Sequence, residues 1–267
     1  MSKVVLITGG SSGIGKSIGE FLHQKGFVVY GTSRNPERVL DSVFPLVALD
    51  VRDADSVARA VAEVVAACGR LDIVINNAGV GITGPLEEIP VLEMKKHFDT
   101  NFFGPIAVIQ AVLPQMRSQQ SGLVINITSI AGYMGLPYRS MYSASKGALE
   151  LVTEALRMEV KSFGVAITNV APGDFATNIA SGRYHAPVIE GSAYEVSYGE
   201  SLRTMDAHVD GGSDPNEMAL AVYKIIQTKE PRVHYKVGAF MQKFSIVLKR
   251  ILPDKVYEKM LMKHYKL

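Results

Sequence analysis

Short Val/Ile-rich runs alternate with helix-length amphipathic segments along almost the whole chain, and this alternation constrains the fold more than any other feature. The strand candidates are Lys3–Thr8, Val28–Thr32, Leu46–Leu49, Asp72–Ile75, Leu123–Thr128, Val165–Val170 and Arg232–Val237. They lack the polar alternation of a half-solvated strand, so both faces are expected to be covered. Helix candidates fall between them at Gly13–Lys25, Asp53–Cys68, Val91–Ser118, Arg139–Ser162 and Pro215–Thr228, with Gly26 and Gly164 where helices should end. Such a βαβα order predicts an α/β fold, a mostly parallel sheet with helices on both faces. No linker or repeat divides residues 1–267, which read as a single catalytic domain. Ala171–Asp214 is Gly- and Pro-rich, weakly periodic, and expected to be a long loop or lid over a site.

Composition bounds the rest. A hydrophobic content of 47% with 20% charged residues suits a chain with a substantial core, and a net charge of +2 gives no reason to expect nucleic acid. The single cysteine, Cys68, forbids an intramolecular disulfide and reads as a small buried hydrophobe. The apolar run Val4–Ile7 stops at glycine, short of a signal sequence, and no run reaches a membrane span, so a cytoplasmic protein is expected.

The first strand leads directly into Thr8-Gly9-Gly10-Ser11-Ser12-Gly13-Ile14-Gly15, where a helix begins. Glycines permit a tight turn and close approach to a pyrophosphate, and the helix start offers unpaired N–H groups. Gly-rich turns also occur without ligands, but the strand–turn–helix setting favours a dinucleotide. The second strand ends Thr32-Ser33-Arg34-Asn35 with no acid for a ribose 2′-hydroxyl. Arg34 can instead make a forked contact to a 2′-phosphate, which points to NADP(H).

Tyr142 and Lys146 lie four apart on a predicted helix and share a face. A tyrosine hydroxyl near pKa 10 is a poor base at neutral pH, and a neighbouring ammonium favours its phenolate. Ser129 follows the fifth strand candidate thirteen residues earlier, at the carboxyl edge where α/β ligands bind. Asn101 interrupts a helix otherwise rich in Phe and Ile.

Taken in order, these residues resemble the short-chain dehydrogenase/reductase family in its compact form over residues 3 to 237. The matching positions are Thr8–Gly15, Asp50, Asn76-Asn77-Ala78-Gly79, Asn101, Ser129, Tyr142-x-x-x-Lys146, and Pro172-Gly173 leading to Thr177. The resemblance implies a Rossmann-type doubly wound, mostly parallel seven-stranded sheet and hydride transfer between NADP(H) and an alcohol or carbonyl. By position it makes Tyr142 the acid/base, Ser129 the hydrogen bond to the substrate oxygen, Lys146 the tuning ammonium and ribose ligand, and Asn101 the holder of a relay water. Cofactor contacts are implied at Gly9, Ser11, Ser12, Gly13, Ile14, Gly15, Ser33, Arg34, Asp50, Val51, Asn77, Ala78, Gly79, Tyr142, Lys146, Pro172, Gly173 and Thr177. No metal is implied. The resemblance also implies a homodimer or homotetramer built on the helices at Val91–Ser118 and Arg139–Ser162.

The substrate end is less legible. Phe175, Tyr184, Tyr194, Tyr198 and Met205 are candidate apolar pocket residues, while His185 and His208 read as loop histidines. The long C-terminus is similar to the hydroxysteroid- and retinol-directed branch, and the expected substrate is a hydrophobic steroid-, retinoid- or lipid-like carbonyl. A 3-oxoacyl thioester reductase and an NADP(H)-sensing regulator are the alternatives. A sugar-nucleotide epimerase or dehydratase would need more chain after Val237. From Lys236 to the end, eight Lys/Arg face two acids, a local +6 that leaves −4 for the remainder of a +2 chain. Phe240, Phe244, Val247, Leu248 and Ile251 fall at helical spacing, and Pro253 separates a second amphipathic segment, Lys255–His264. These helices are expected to pack over the pocket or a partner subunit, with peripheral membrane contact as the alternative.

Overall fold

In the computed structural model, which describes residues 2–175, 182–210 and 212–267, with backbone only at 204 and 206–210, seven parallel strands form the central sheet. They are β1 (Val4–Ile7), β2 (Val28–Ser33), β3 (Leu46–Ala48), β4 (Ile73–Asn76), β6 (Gly122–Ile127), β7 (Val165–Pro172) and β9 (His234–Val237), in the order β3-β2-β1-β4-β6-β7-β9. The chain winds outward from β1 to β3, then returns to start the other half at β4. The strand order therefore reverses between β1 and β4, where a crevice opens at the carboxyl ends. A separate parallel pair, β5 (Ile82–Thr83) and β8 (Tyr184–His185), falls outside the seven predicted strands.

Successive strand residues serve opposite faces. Val4, Leu6, Val74 and Ile167 meet α2 (Ala54–Cys68) and α4 (Gly104–Gln119) on one side. Val5, Ile7, Ile73 and Ile75 meet α1 (Gly13–Gln24) and α7 (Pro215–Ile226) on the other. This two-sided burial is the physical reason the strands carry no polar alternation. The ends of α2 are set locally: Asp53 accepts hydrogen bonds from Asp55 N and Ser56 N, and Gly69 closes the helix at φ +70°. Cys68 packs half-buried beside the first of these cores, 3.6 Å from the Tyr30 hydroxyl.

Two helical expectations need correction. The segment Val91–Ser118 is not one continuous helix: α3 (Val91–Phe98) passes through a π-helical turn, Asp99–Phe103, into α4. The stretch Ala171–Asp214 is not one long loop, because it contains β8 and the 16-residue α6 (Glu195–Asp210). The inward face of α6 carries Tyr198, Ser201, Leu202 and Met205. Ser201 is fully buried on the Tyr265 carbonyl, so a polar residue interrupts the apolar period that would have revealed the helix. The remaining helices are α5 (Ser140–Glu159), α8 (Phe240–Ile251) and α9 (Asp254–Tyr265).

Candidate active site

The crevice at β1 and β4 is walled by backbone. Gly9 and Gly13 adopt φ of +65° and +53°, a region that costs other residues about 1–3 kcal/mol. A Cβ on Gly10 would lie 2.7 Å from Gly31 Cα, and one on Gly15 would overlap the Gly9 carbonyl oxygen. Asn77 locks the turn. Its amide donates to the carbonyls of Thr8 (3.0 Å) and Gly9 (3.1 Å), while the Thr8 hydroxyl accepts from Asn77 N and Ala78 N. Ser12 starts α1 without a side-chain cap, and the first turn has no acid. An uncapped, acid-free helix start behind a turn too tight for side chains fits a pyrophosphate.

A cavity of about 670 Å³ runs from this turn to α5. Its walls include Gly9, Ser11, Ser12, Gly13 and Ile14, then Ser33, Arg34, Asp50 and Val51, and then Asn77, Ala78, Gly79, Tyr142, Lys146 and Pro172. The structure therefore brings together most of the residues expected at the cofactor. Gly15 lies behind the wall as packing, and Gly173 lines the smaller cavity described below. Thr177 lies outside the described residues. At the far end Arg34 is exposed beside Asp50, whose carboxylate is gripped by Arg52 (Nε–Oδ1 3.0 Å, Nη2–Oδ2 2.6 Å). The Arg52 hydrogen bonds, with a weaker contribution from Arg34, hold the Asp50 carboxyl below the usual carboxylate range. Asp50, the acid that lines this corner of the cavity, is thus paired, and the corner favours an anion.

Tyr142 and Lys146 are both buried on α5, and Lys146 Nζ donates to the Ile127 carbonyl at 3.0 Å. Burial pushes the Lys146 ammonium below its usual range, while Tyr142 and Glu150 oppose that shift. Arg139 sits over the Tyr142 ring, 5.0 Å from its centroid. Ser129 begins the turn after β6, and its Oγ accepts from Ala131 N at 3.1 Å, leaving the O–H to donate. It lines a smaller cavity of about 70 Å³ with Arg139, Gly173, Asp174, Phe175 and Arg183. Tyr142 borders both cavities. Tyr142 thus lines the dinucleotide-sized crevice and the small pocket together, as do Ile14, Gly81, Ile82 and Pro172.

The π turn places Asn101 fully buried against the β4–β5 connection. Its Oδ1 accepts from Val80 N and its Nδ2 donates to Val80 O, both at 2.8 Å. Beside it, buried His97 lies 3.0 Å from Ser145 Oγ. Desolvation, then the nearby Lys146 charge, lowers the His97 pKa to about 4, so the ring is neutral at pH 7.

Of the candidate pocket residues, Phe175 lines the small cavity and Tyr184 the large one. Tyr194 instead bonds Glu87 through its hydroxyl, and the buried Tyr198 hydroxyl lies 2.9 Å from the Ala186 carbonyl of its own segment and 3.4 Å from that of Thr83, so Glu87 and Thr83 tie the segment to the body. Met205 is buried in α6, His185 pairs with Thr83, and the His208 side chain lies outside the described residues. Sequence reasoning passed over His97, Arg52, Arg139 and Glu150. Glu150 was within reach, since it continues the Tyr142–Lys146 face by one more turn. Buried there, its carboxylate accepts from Tyr133 (3.0 Å), Asn169 (2.9 Å) and the Thr128 hydroxyl, and meets His234 Nδ1 at 2.6 Å. This network clamps the strand end that presents Ser129.

The sequence profile described as short chain dehydrogenase matches residues 3–187. The chain is 40% identical over 257 residues to a 3-ketodihydrosphingosine reductase of Bacteroides thetaiotaomicron, covering 96% of this chain and 95% of that protein. It is 30% identical over 281 residues to an NADPH-dependent 3-dehydrocapnine reductase of Ornithobacterium rhinotracheale, covering 99% and 98%. A short-chain dehydrogenase crystal structure from Streptomyces avermitilis superposes with a TM-score of 0.86 at 32% identity, covering 100% of this chain and 97% of that one. By this profile match and these relatives, the chain belongs to the short-chain dehydrogenase/reductase family.

Proposed function

We propose that this protein is an NADPH-dependent reductase that converts the oxo group of a long-chain lipid, of the 3-ketodihydrosphingosine type, into an alcohol. The observation that carries the reading is the position of Tyr142 on the wall between the large cavity and the pocket of Ser129. When bound, the cofactor supplies the hydride. Ser129 donates a hydrogen bond to the substrate oxygen, and Tyr142 delivers the proton to it as the alkoxide forms. Lys146 stabilises the phenolate that remains and holds the nicotinamide ribose. Asn101 braces the Val80 turn and holds the water that returns a proton to Lys146.

Arg34, with Ser33, takes the 2′-phosphate, because the corner offers cations and a neutralised acid. The small pocket sets Arg139 and Arg183 against Asp174 beside Phe175, a mixed-charge and apolar lining suited to a polar lipid head next to the oxo carbon. The names of the two relatives, both reductases of oxo lipids, support that substrate class.

The test is NADPH consumption with 3-ketodihydrosphingosine, 3-dehydrocapnine, a 3-oxoacyl thioester, a ketosteroid and retinal. One of the two lipid ketones is expected to give the highest kcat/KM; a faster thioester would establish the alternative. Tyr142→Phe should lower turnover by about 10²–10⁴-fold with NADPH still bound. Arg34→Ala should raise KM for NADPH about tenfold or more, the worth of a charged hydrogen bond, with little change for NADH.

A further inference from the structure

Of the five apolar residues that the spacing of the C-terminal tail brings together, Leu248 packs inward beside Ile246 and the other four do not. Phe240, Phe244, Val247 and Ile251 recur at i, i+4, i+7 and i+11, so they form one stripe along α8. All four are exposed, Phe240 at 72% and Ile251 at 67%, and the rings of Phe240 and Phe244 stack at 5.8 Å. The opposite side of α8 is the packed one. There Ile246 meets Ile130 and Met134, and Gln242 bonds Asp174 at 2.6 Å. On α9, Tyr257 and Tyr265 are buried while Val256, Met260 and Met262 are exposed.

Charge selects the occupant of this face. α8 has no acid, and Lys243 and Arg250 flank the stripe, while Lys249 lies on the opposite side, paired with Asp254 at 2.8 Å; Lys255, Lys259, Lys263 and Lys266 follow on α9 and at its end. A second copy meeting this face about a two-fold axis would set one +6 tail against another. An anionic surface is matched instead, and a 12-residue helix with an apolar stripe and basic flanks has the make-up of one that lies in a lipid–water interface. No helix among the described residues is long and apolar enough to cross a membrane.

We infer that α8 and α9 dock this protein on the surface of a bilayer containing anionic phospholipid, with Phe240, Phe244, Val247 and Ile251 seated among the acyl chains. The site lies directly behind the docked face. Gln242 holds Asp174 of the small cavity, and the Ile130–Met134 segment against which α8 packs follows Ser129. Docking thus brings the substrate pocket close to the phase that stores lipid ketones. That consequence rests on the substrate class proposed above; the docking itself does not.

The experiment is flotation of the full chain with substrate-free vesicles of phosphatidylcholine alone or with about one third phosphatidylglycerol. Binding is expected to anionic vesicles, to weaken about tenfold or more between low and high salt, and to be weak on phosphatidylcholine. The variant Phe240→Ser, Phe244→Ser, Ile251→Ser changes only exposed positions, and should bind about tenfold less while reducing a water-soluble ketone as well as the parent. Lys255→Glu with Lys259→Glu should lose binding at low salt. Equal flotation of parent and serine variant, or no binding to anionic vesicles, would overturn the proposal. So would light scattering that finds the serine variant a smaller oligomer than its parent, since a second copy would then be the occupant. Because the vesicles carry no substrate, an error in the lipid-reductase reading would leave these outcomes unchanged.

Discussion

His97 shows how much of a site can depend on a residue with no motif of its own. The ring is buried against Ser145 and Asn101 near the Lys146 ammonium, and those surroundings hold its pKa at about 4 against an ordinary 6.5. The unfolded chain therefore binds a proton at His97 at higher pH than the folded one. Stability from this group is complete above pH 6.5 and is lost as the pH falls through 6.5 toward 4. The displacement corresponds to about 3 kcal/mol in full, of which about 2 kcal/mol is lost between pH 7 and pH 5. Chemical denaturation at those two pH values should show His97→Gln losing less stability than the parent by about that amount; equal losses would show that the ring titrates normally. At the same scale, the placement of Tyr142, Lys146, Ser129 and Arg34 at the cavities was legible from their residue type and spacing. His97 and Arg52 were not: His97 acquires meaning from Ser145 and Lys146, which only the fold brings to it, and Arg52, although only two residues from Asp50, acquires it from the cavity corner in which the fold sets the pair.

Among the elements, the turn from β1 to α1 is the most tightly specified. A methyl on Gly15 would overlap the carbonyl of Gly9 and crowd Asn77 Nδ2 at 2.5 Å, so the turn or Asn77 must move. Gly15→Ala is expected to cost about 1–3 kcal/mol of stability, the usual range for overpacking. It should also weaken NADPH binding, read by fluorescence titration, because the turn that moves is the pyrophosphate wall. The seven strands and the first helices could be read from the sequence, since two-sided burial leaves unbroken apolar runs. The break between α3 and α4 was hidden, because the amphipathic pattern continues through a π turn that shifts register by one residue. α6 was hidden for a different reason: Ser201 occupies a core position that only the Tyr265 carbonyl makes acceptable.

For the whole molecule, the exposed apolar faces differ in character. On α5, Leu151 and Met158 are seven apart and exposed at 67% and 74%, and Phe103 is exposed at the start of α4. This is the helix pair that the family resemblance assigns to subunit contact, and it lacks the basic excess of the α8–α9 tail. Light scattering should find a dimer or tetramer, and Leu151→Glu with Met158→Glu should give a smaller species that retains its fold. An unchanged mass would move the contact to another surface. Residues that act through nearest neighbours in the chain carried their meaning in the sequence alone: the strand runs, the glycine turn, the Tyr142–Lys146 face, the Arg34 ending and the amphipathic tail. Whether the tail's apolar stripe faces the pocket or solvent was decided only by the tertiary structure. So was the meeting of two cavities at Tyr142. Each of these depends on contacts between elements distant in the chain, and a periodicity records that a helix has an apolar face without recording what lies against it.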